Sequence, residues 1–201
     1  MAQLAISKAR LFLIAAAVVL LSIALRLFLP PSVSSSAQLS TSDEAIERGE
    51  YLVIAGGCIS CHRGEEDEES FIGGLALETD FGTFFAPNIT PDMETGIGSW
   101  QAEDFLLALK HGRKPGGSFY YPAFPFRAYA GLSDQDAVDI GSYLMSLDPK
   151  ANSVPDAQTP LWLNRWAMAG WNLMADISEV EYEAFDDELV ERGAYLARNL
   201  G

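Results

Sequence analysis

The sequence predicts an all-α fold, and three observations carry that prediction. Apolar side chains recur at helical spacing in three separate windows, each opened by a residue able to cap a helix. The stretches between the second and third windows, and before the second, are crowded with glycine and proline, which interrupt regular structure. Just after the first window stands Cys58-Ile59-Ser60-Cys61-His62, holding both cysteines and one of the two histidines of the 201 residues.

That run has C-x-x-C-H spacing, the attachment signature of c-type haem. Two thiols three positions apart can each form a thioether to one edge of a porphyrin. The adjoining imidazole then lies on the same turn, placed to bind the iron from one face. Cys58 and Cys61 are therefore read as the covalent attachment points and His62 as the proximal iron ligand. A thioredoxin-like redox pair would require a βαβ setting, which the pattern lacks. A structural zinc site would require four ligands, and only a remote His111 could join these three.

The N-terminal segment sets the compartment. Lys8 and Arg10 precede an apolar run from Leu11 to Leu29, broken by Arg26 and closed by Pro30-Pro31. Residues 1–29 read as a signal or membrane-anchor helix. An uncleaved transmembrane anchor, with Arg26 snorkelling to the far interface, is favoured over a signal cleaved after Ala37, because that site lies well beyond the apolar core. Either reading places everything after Pro30 outside the cytoplasm, in the bacterial periplasm. Residues 30–41 read as a serine-rich linker.

Thr41 and Glu44 are spaced as a capping box, predicting a helix through Tyr51 toward Ala55. Gly49 in its middle costs about 1 kcal/mol relative to alanine, which a close helix crossing would explain. Gly56-Gly57 ends that helix. After His62 come five consecutive acids, Glu65 to Glu69, a solvated loop or a docking patch for a basic partner. From Phe71 to Ser99 the composition predicts an irregular wrap rather than helix or sheet, with Phe71, Phe81, Phe84 and Phe85 suited to covering a porphyrin or a loop core. Ser99 is read as the cap of a helix from Trp100 to His111, with Ala102, Phe105, Leu106 and Leu109 inward and Gly112 as its stop. After the aromatic stretch Lys114–Gly131, Ser133 and Asp136 open a last helix through Leu147, with Ala137, Ile140, Gly141 and Leu144 on one face. Gly49 and Tyr143 form the expected crossing pair of first and last helices.

The formal net charge of −15 argues against nucleic-acid binding and against basic contacts to anionic lipid. It suits a protein whose partners are steered by charge, and equally simple solubility. No catalytic acid, base or nucleophile stands out beyond the haem ligands.

Gly73-Gly74-Leu75, the run Phe81 to Asp92 containing Asn88-Ile89-Thr90-Pro91-Asp92, Thr95-Gly96-Ile97-Gly98-Ser99-Trp100 and Tyr121-Pro122-Ala123-Phe124-Pro125 together resemble the cytochrome c subunits of membrane-bound dehydrogenases, a family of di- and multi-haem proteins. The resemblance covers roughly residues 45–148. It implies a class I cytochrome c-like domain over 42–148 and an electron-transfer role with haem c as cofactor. The donor would be a periplasmic or membrane dehydrogenase, and the acceptor quinone, another cytochrome or an oxidase in the respiratory chain. Many members place methionine, the sixth iron ligand, where this chain has Phe124. His111, Met93 and Met145 are the remaining candidates, or the position is open. The alternative function is accordingly a haem enzyme or ligand-binding haem protein, peroxidase-like, with an open sixth site.

Glu47-Arg48-Gly49-Glu50-Tyr51-Leu52 recurs as Glu191-Arg192-Gly193-Ala194-Tyr195-Leu196. Residues 190–201 are therefore expected to begin a second, truncated cytochrome c domain, with at least two haems in the intact chain. Residues 149–189 would be the connector, carrying Trp162, Trp166, Met168, Trp171 and Met174 at roughly helical spacing as core, and an acidic stretch from Ser178 to Glu191.

Overall fold

The computed structural model describes residues 8–33, 35–64, 67–165, 167–177 and 184–200. Glu65, Glu66 and Trp166, residues 178–183 at the start of the acidic stretch, and the side chains of Lys8, Arg26 and Met174 lie outside them.

Helix α1 (Lys8–Phe28) follows from the apolar run, and its large side chains from Leu11 to Leu25 are exposed. Among the described residues no helix is long and apolar enough to cross a membrane. The linker is less loose than its composition predicts. Ala37 is buried in the main core, Val33 and Leu39 pack on it, and the Ser40 amide donates to Ser142 Oγ at 3.0 Å.

Helix α2 (Asp43–Ala55) is capped by Ser42, one residue after the expected Thr41; its Oγ accepts from the Ala45 amide at 3.3 Å. Gly57, in the left-handed region at φ 61°, turns the chain into the short helix α3 (Cys58–His62). Contrary to the all-α expectation, part of the wrapping stretch is an antiparallel hairpin of β1 (Ala76–Thr79) and β2 (Gly82–Phe85), with Leu77 opposite Phe84 and Glu78 opposite Thr83. Thr83 also exchanges both backbone hydrogen bonds with Gln158, so the chain beyond the last predicted helix lies along the hairpin's free edge. Pairing satisfies backbone groups that a buried loop would leave unpaired.

Helix α4 (Ala102–His111) starts two residues later than the Ser99 cap implies. Gln101 is its N-cap, in a box with Asp104, and Gly112 stops it at φ 59°. A one-turn helix, α5 (Phe126–Tyr129), precedes α6 (Asp134–Ser146), which Ser133 caps through the Asp136 amide at 3.0 Å. Helices α7 (Met168–Ile177) and α8 (Glu188–Leu200) complete the chain.

The main core lies where α2, α4 and α6 meet: Leu52 and Val53, Phe105 and Leu106, Ala137, Val138, Ile140 and Leu144. Two glycines permit these crossings. A Cβ on Gly49 would stand 2.0 Å from the Asp139 carbonyl oxygen and 2.8 Å from Tyr143 Cβ, so the expected Gly49–Tyr143 crossing is present. A Cβ on Gly141 would strike the Phe105 ring at 2.7 Å. Asp139 is wholly buried on α6, and its carboxylate accepts from Arg48 Nε at 2.7 Å and Gln135 Nε2 at 2.8 Å.

A second core of Phe84, Phe119, Leu163, Met168 and Ala169 binds the stretch after α6 to the hairpin. Trp162 and Trp171, read as core, are 65% and 41% exposed instead; Leu163 and Ala169 take the inward positions. Helix α8 lies against α5 and the start of α6. Tyr195 Oη accepts from the Ser133 amide at 2.8 Å and donates to Asp136 at 2.6 Å, and Arg192 reaches the same carboxylate at 3.2 Å.

Candidate haem site

The C-x-x-C-H run folds as one tight helical turn, which sets Cys58, Cys61 and His62 together at the end of α2. Both cysteines are free thiols and half-buried. Burial pushes the Cys58 thiol up to about 11, so it stays protonated at neutral pH. A dithiol redox pair needs the opposite, an attacking sulfur whose pKa is depressed, and this argues against the thioredoxin-like reading. Among the described residues no three His, Cys, Asp or Glu side chains converge as a metal-ion cluster, so the zinc reading has no ligand set.

His62 is oriented from outside its own turn. Its Nδ1 lies 2.8 Å from the Pro87 carbonyl oxygen. That oxygen can only accept, so in the neutral ring Nδ1 carries the proton and Nε2 keeps its lone pair. Burial lowers the His62 pKa and the Pro87 bond opposes it, the balance favouring the neutral ring that a metal ligand must be. The acceptor is held by a close backbone approach. Gly73, at φ 69°, donates its amide to the His62 carbonyl at 2.8 Å, and a Cβ there would stand 2.3 Å from the Ala86 carbonyl oxygen and 2.5 Å from the Pro87 carbonyl carbon. Only glycine fits between the two strands of chain.

Around the other side of the turn runs an aromatic series. Tyr129 Oη donates to the Gly56 carbonyl at 3.3 Å, two residues before Cys58. Burial first, and the nearby Cys58 and Cys61 second, push this phenol up to about 12. Phe124 stacks on Tyr129 at 5.8 Å and meets the edge of Tyr120 at 5.1 Å. The Pro-Ala-Phe-Pro loop thus does reach the neighbourhood of the haem turn, bringing a ring without a donor atom. The three other candidates for the sixth ligand stand on separate elements. His111 ends α4, where its carbonyl accepts from Asn172 at 3.0 Å. Met93 is 70% exposed in the wrapping loop, its sulfur beside Gly98, and Met145 packs from α6 against the main core.

The Asn88–Asp92 motif, specific in sequence but silent as to purpose, is a hydrogen-bonded knot. Asn88 is buried; its Oδ1 accepts from the Thr90 amide at 2.9 Å and its Nδ2 donates to the Lys150 carbonyl at 2.7 Å. Asp92 accepts from the Thr95 amide and hydroxyl, both at 2.7 Å. Sequence reasoning did not find Lys150, Asn152 or Tyr129. Nothing in their spacing marks them, since their partners are 57 or more positions away.

Two thiols at i and i+3, and an imidazole with Nε2 left free by its own second hydrogen bond, fit a porphyrin iron held covalently. The arrangement defines a c-type haem protein. Residues 46–148 match the family model for cytochrome c, and the chain belongs to that family, whose cofactor is haem c and whose chemistry is electron transfer. Among curated proteins it is 37% identical to the gluconate 2-dehydrogenase cytochrome c subunit of Pantoea cypripedii, over 85% of this chain and 39% of that one. A dihaem cytochrome c-type protein of Cereibacter sphaeroides is 40% identical over 92% of this chain and 64% of its own length. The cytochrome c subunit of the quinone alcohol dehydrogenase of Gluconobacter oxydans is 36% identical over 83% and 36%. The chain therefore spans between about a third and two thirds of these relatives.

Proposed function

We propose that this chain carries electrons as part of the cytochrome subunit of a periplasmic dehydrogenase complex, with Cys58 and Cys61 bearing haem c and His62 as its proximal ligand. The observation that carries the reading is the His62–Pro87 hydrogen bond beside two free, half-buried thiols. Haem supplies a one-electron couple when bound. The chain's part is to orient the imidazole, to make it a stronger donor through the Nδ1–H bond, and to bury the iron's surroundings. The donor would be a dehydrogenase, as the names of the relatives suggest, and the acceptor quinone, another cytochrome or an oxidase. The N-terminal segment 1–29, apolar from Leu11 onward behind Lys8 and Arg10, would tether the haem domain to the inner membrane as an anchor, or export it as a signal. The repeat of residues 47–52 at 191–196, both on 13-residue helices, supports a second haem domain opening with α8.

The test is spectroscopic. In membranes respiring on gluconate, ethanol or fructose, the haem is expected to become reduced as substrate turns over and to reoxidise when it is exhausted. A haem that never cycles with any of these would refute the carrier reading.

A second reading rests on Phe124. If its ring replaces the sixth ligand, the reduced haem binds carbon monoxide, and a ligand-binding or peroxidase-like role follows. A low-spin, carbon monoxide-inert spectrum would exclude it.

A further inference from the structure

The segment Lys150-Ala151-Asn152 lies beyond the last helix of the haem domain, yet it touches both walls of the His62 support. On one wall, Asn152 Nδ2 donates to the Ile72 carbonyl at 2.9 Å and lies 3.3 Å from that of Gly73. Both neighbours are acceptors, which fixes the amide's orientation. Gly73 is the residue wedged against Pro87, and its own amide holds the His62 carbonyl. On the other wall, the Asn152 amide donates to Thr95 Oγ1 at 2.9 Å, the Lys150 carbonyl accepts from Asn88 Nδ2 at 2.7 Å, and the Lys150 amide donates to Thr90 Oγ1 at 3.2 Å. Asn88 directly follows Pro87. The Lys150 ammonium, finally, pairs with Asp67 at 2.7 Å on the loop after the haem turn.

These bonds form one clasp. The Pro87 carbonyl sits between Gly73 and Asn88, and the chain at 150–152 is bonded to the stretches that carry both. A shift of that carbonyl by a few tenths of an ångström changes the strength of its bond to His62 Nδ1, because hydrogen bonds weaken steeply with distance and angle. The bond to Nδ1 in turn sets how strongly the imidazole donates to iron, and outer-shell partners of this kind tune metal sites. We propose that Asn152 is a positioning residue for the haem iron: with Asn88, it holds the Pro87 carbonyl against His62 and so keeps the haem's reduction potential low. The proposal rests on the reading of His62 as proximal ligand.

The direction follows from the chemistry. A firm Nδ1–H···O bond gives the ring anionic character and stabilises ferric iron. Releasing Asn152 loosens the bond, destabilises the ferric state and raises the potential. The test is potentiometry on the haem-loaded chain for parent, Asn152→Leu, which keeps the volume without adding charge, and Asn152→Ala. Ser142→Ala serves as a control, since it removes a partly buried hydrogen bond from α6 to Ser40 and should lower thermal stability without touching the clasp. Both Asn152 variants are expected to raise the midpoint potential and to move the hyperfine-shifted His62 ring resonances of the ferric protein, while Ser142→Ala moves neither. An unchanged potential in haem-loaded Asn152→Ala, or an equal rise in Ser142→Ala, overturns the proposal. If Asn152→Leu fails to fold, Asn152→Ala decides. A parent chain with no covalently bound haem sinks the haem reading itself, an outcome seen before any variant is compared.

Discussion

Gly49 and Gly193 occupy the same place in two copies of one helical motif, and a methyl group added to each should act in opposite directions. In an open helix interior, replacing glycine by alanine stabilises by about 1 kcal/mol, through lower backbone entropy in the unfolded chain. At Gly193 a Cβ meets nothing within 4 Å, so Gly193→Ala should realise most of that gain. At Gly49 the Cβ would lie 2.0 Å from the Asp139 carbonyl oxygen, whereas real Cβ contacts do not fall below 3.0 Å. The two helices must therefore part by about 1 Å, and the obstacle is backbone, which has no rotamer to yield. A gap of that size forfeits roughly a quarter to a half of each contact's attraction along the interface. Leu52, Val53, Ala137 and Val138 all lie there, and the Arg48–Asp139 bond is stretched as well. Overpacking of this kind costs about 1–3 kcal/mol, and the rigid obstacle puts Gly49→Ala at the upper end of that range, about 2 kcal/mol destabilising net after the propensity gain. Urea denaturation of the haem-loaded chain, followed by far-ultraviolet circular dichroism, should show a lower midpoint for Gly49→Ala and an equal or higher one for Gly193→Ala. Shifts of the same sign would refute the argument.

Tyr195→Phe should loosen α8. The lost hydroxyl bonds the Ser133 amide and Asp136, and because this site is partly solvated the loss is about 1 kcal/mol. Proteolysis between residues 184 and 190 should quicken while the haem spectrum is unchanged; an unaltered rate would show that the bond does not hold the helix. The carboxyls of Asp67, Asp92 and Asp134 are held below the usual range by Lys150, Thr95 and Lys110 respectively. A carboxyl more acidic when folded stabilises above its unfolded pKa of about 3.9 and loses that contribution as pH falls through the folded value. The melting temperature should thus hold near neutrality and fall below about pH 4, less steeply in Asp134→Asn; a steeper fall in that variant would contradict the assignment. Phe124→Met should abolish carbon monoxide binding to the reduced haem and raise its potential, since a thioether ligand favours ferrous iron. A spectrum identical to the parent's would place Phe124 away from the iron.

What could be read from the sequence was local. The C-x-x-C-H turn, the Ser133 cap, the Gly112 stop and the Gly49–Tyr143 crossing all depend on residues within one or two helical turns, or on one periodicity meeting another. The errors at helix starts have the same scale: Thr41 and Ser42 are adjacent hydroxyls, and either could cap α2. Gln101 displaces Ser99 at α4 because Ser99 lies inside a turn closed by the Trp100 amide on the Ile97 carbonyl at 2.9 Å, and Gln101 is the extended residue that directly precedes the helix. The hairpin escaped detection because strands of four residues around Asp80-Phe81-Gly82 look like loop, and their third partner, Gln158, lies 75 positions beyond Thr83. The second core has the same cause. Phe84, Phe119 and Leu163 come from three distant stretches, and no window contains more than one of them. Composition left Phe71 to Phe85 as either porphyrin cover or loop core; Phe71 packs edge-on against Tyr143 and Phe84 serves the second core.

The clasp at residues 150–152 also bears on the order in which the protein is made. His62 leaves the ribosome early, but its Pro87 partner comes 25 positions later and the Asn88–Lys150 bond spans 62. Closing such long loops is slow relative to forming a single helical turn. As the chain is made, the Cys58–His62 run is therefore complete well before the segment that orients the imidazole has arrived. The residues that would carry the haem lie within the run itself, whereas the clasp proposed to tune the iron waits for the segment after α6. On that proposal, binding the haem and setting its potential depend on parts of the chain separated by the synthesis of roughly ninety residues.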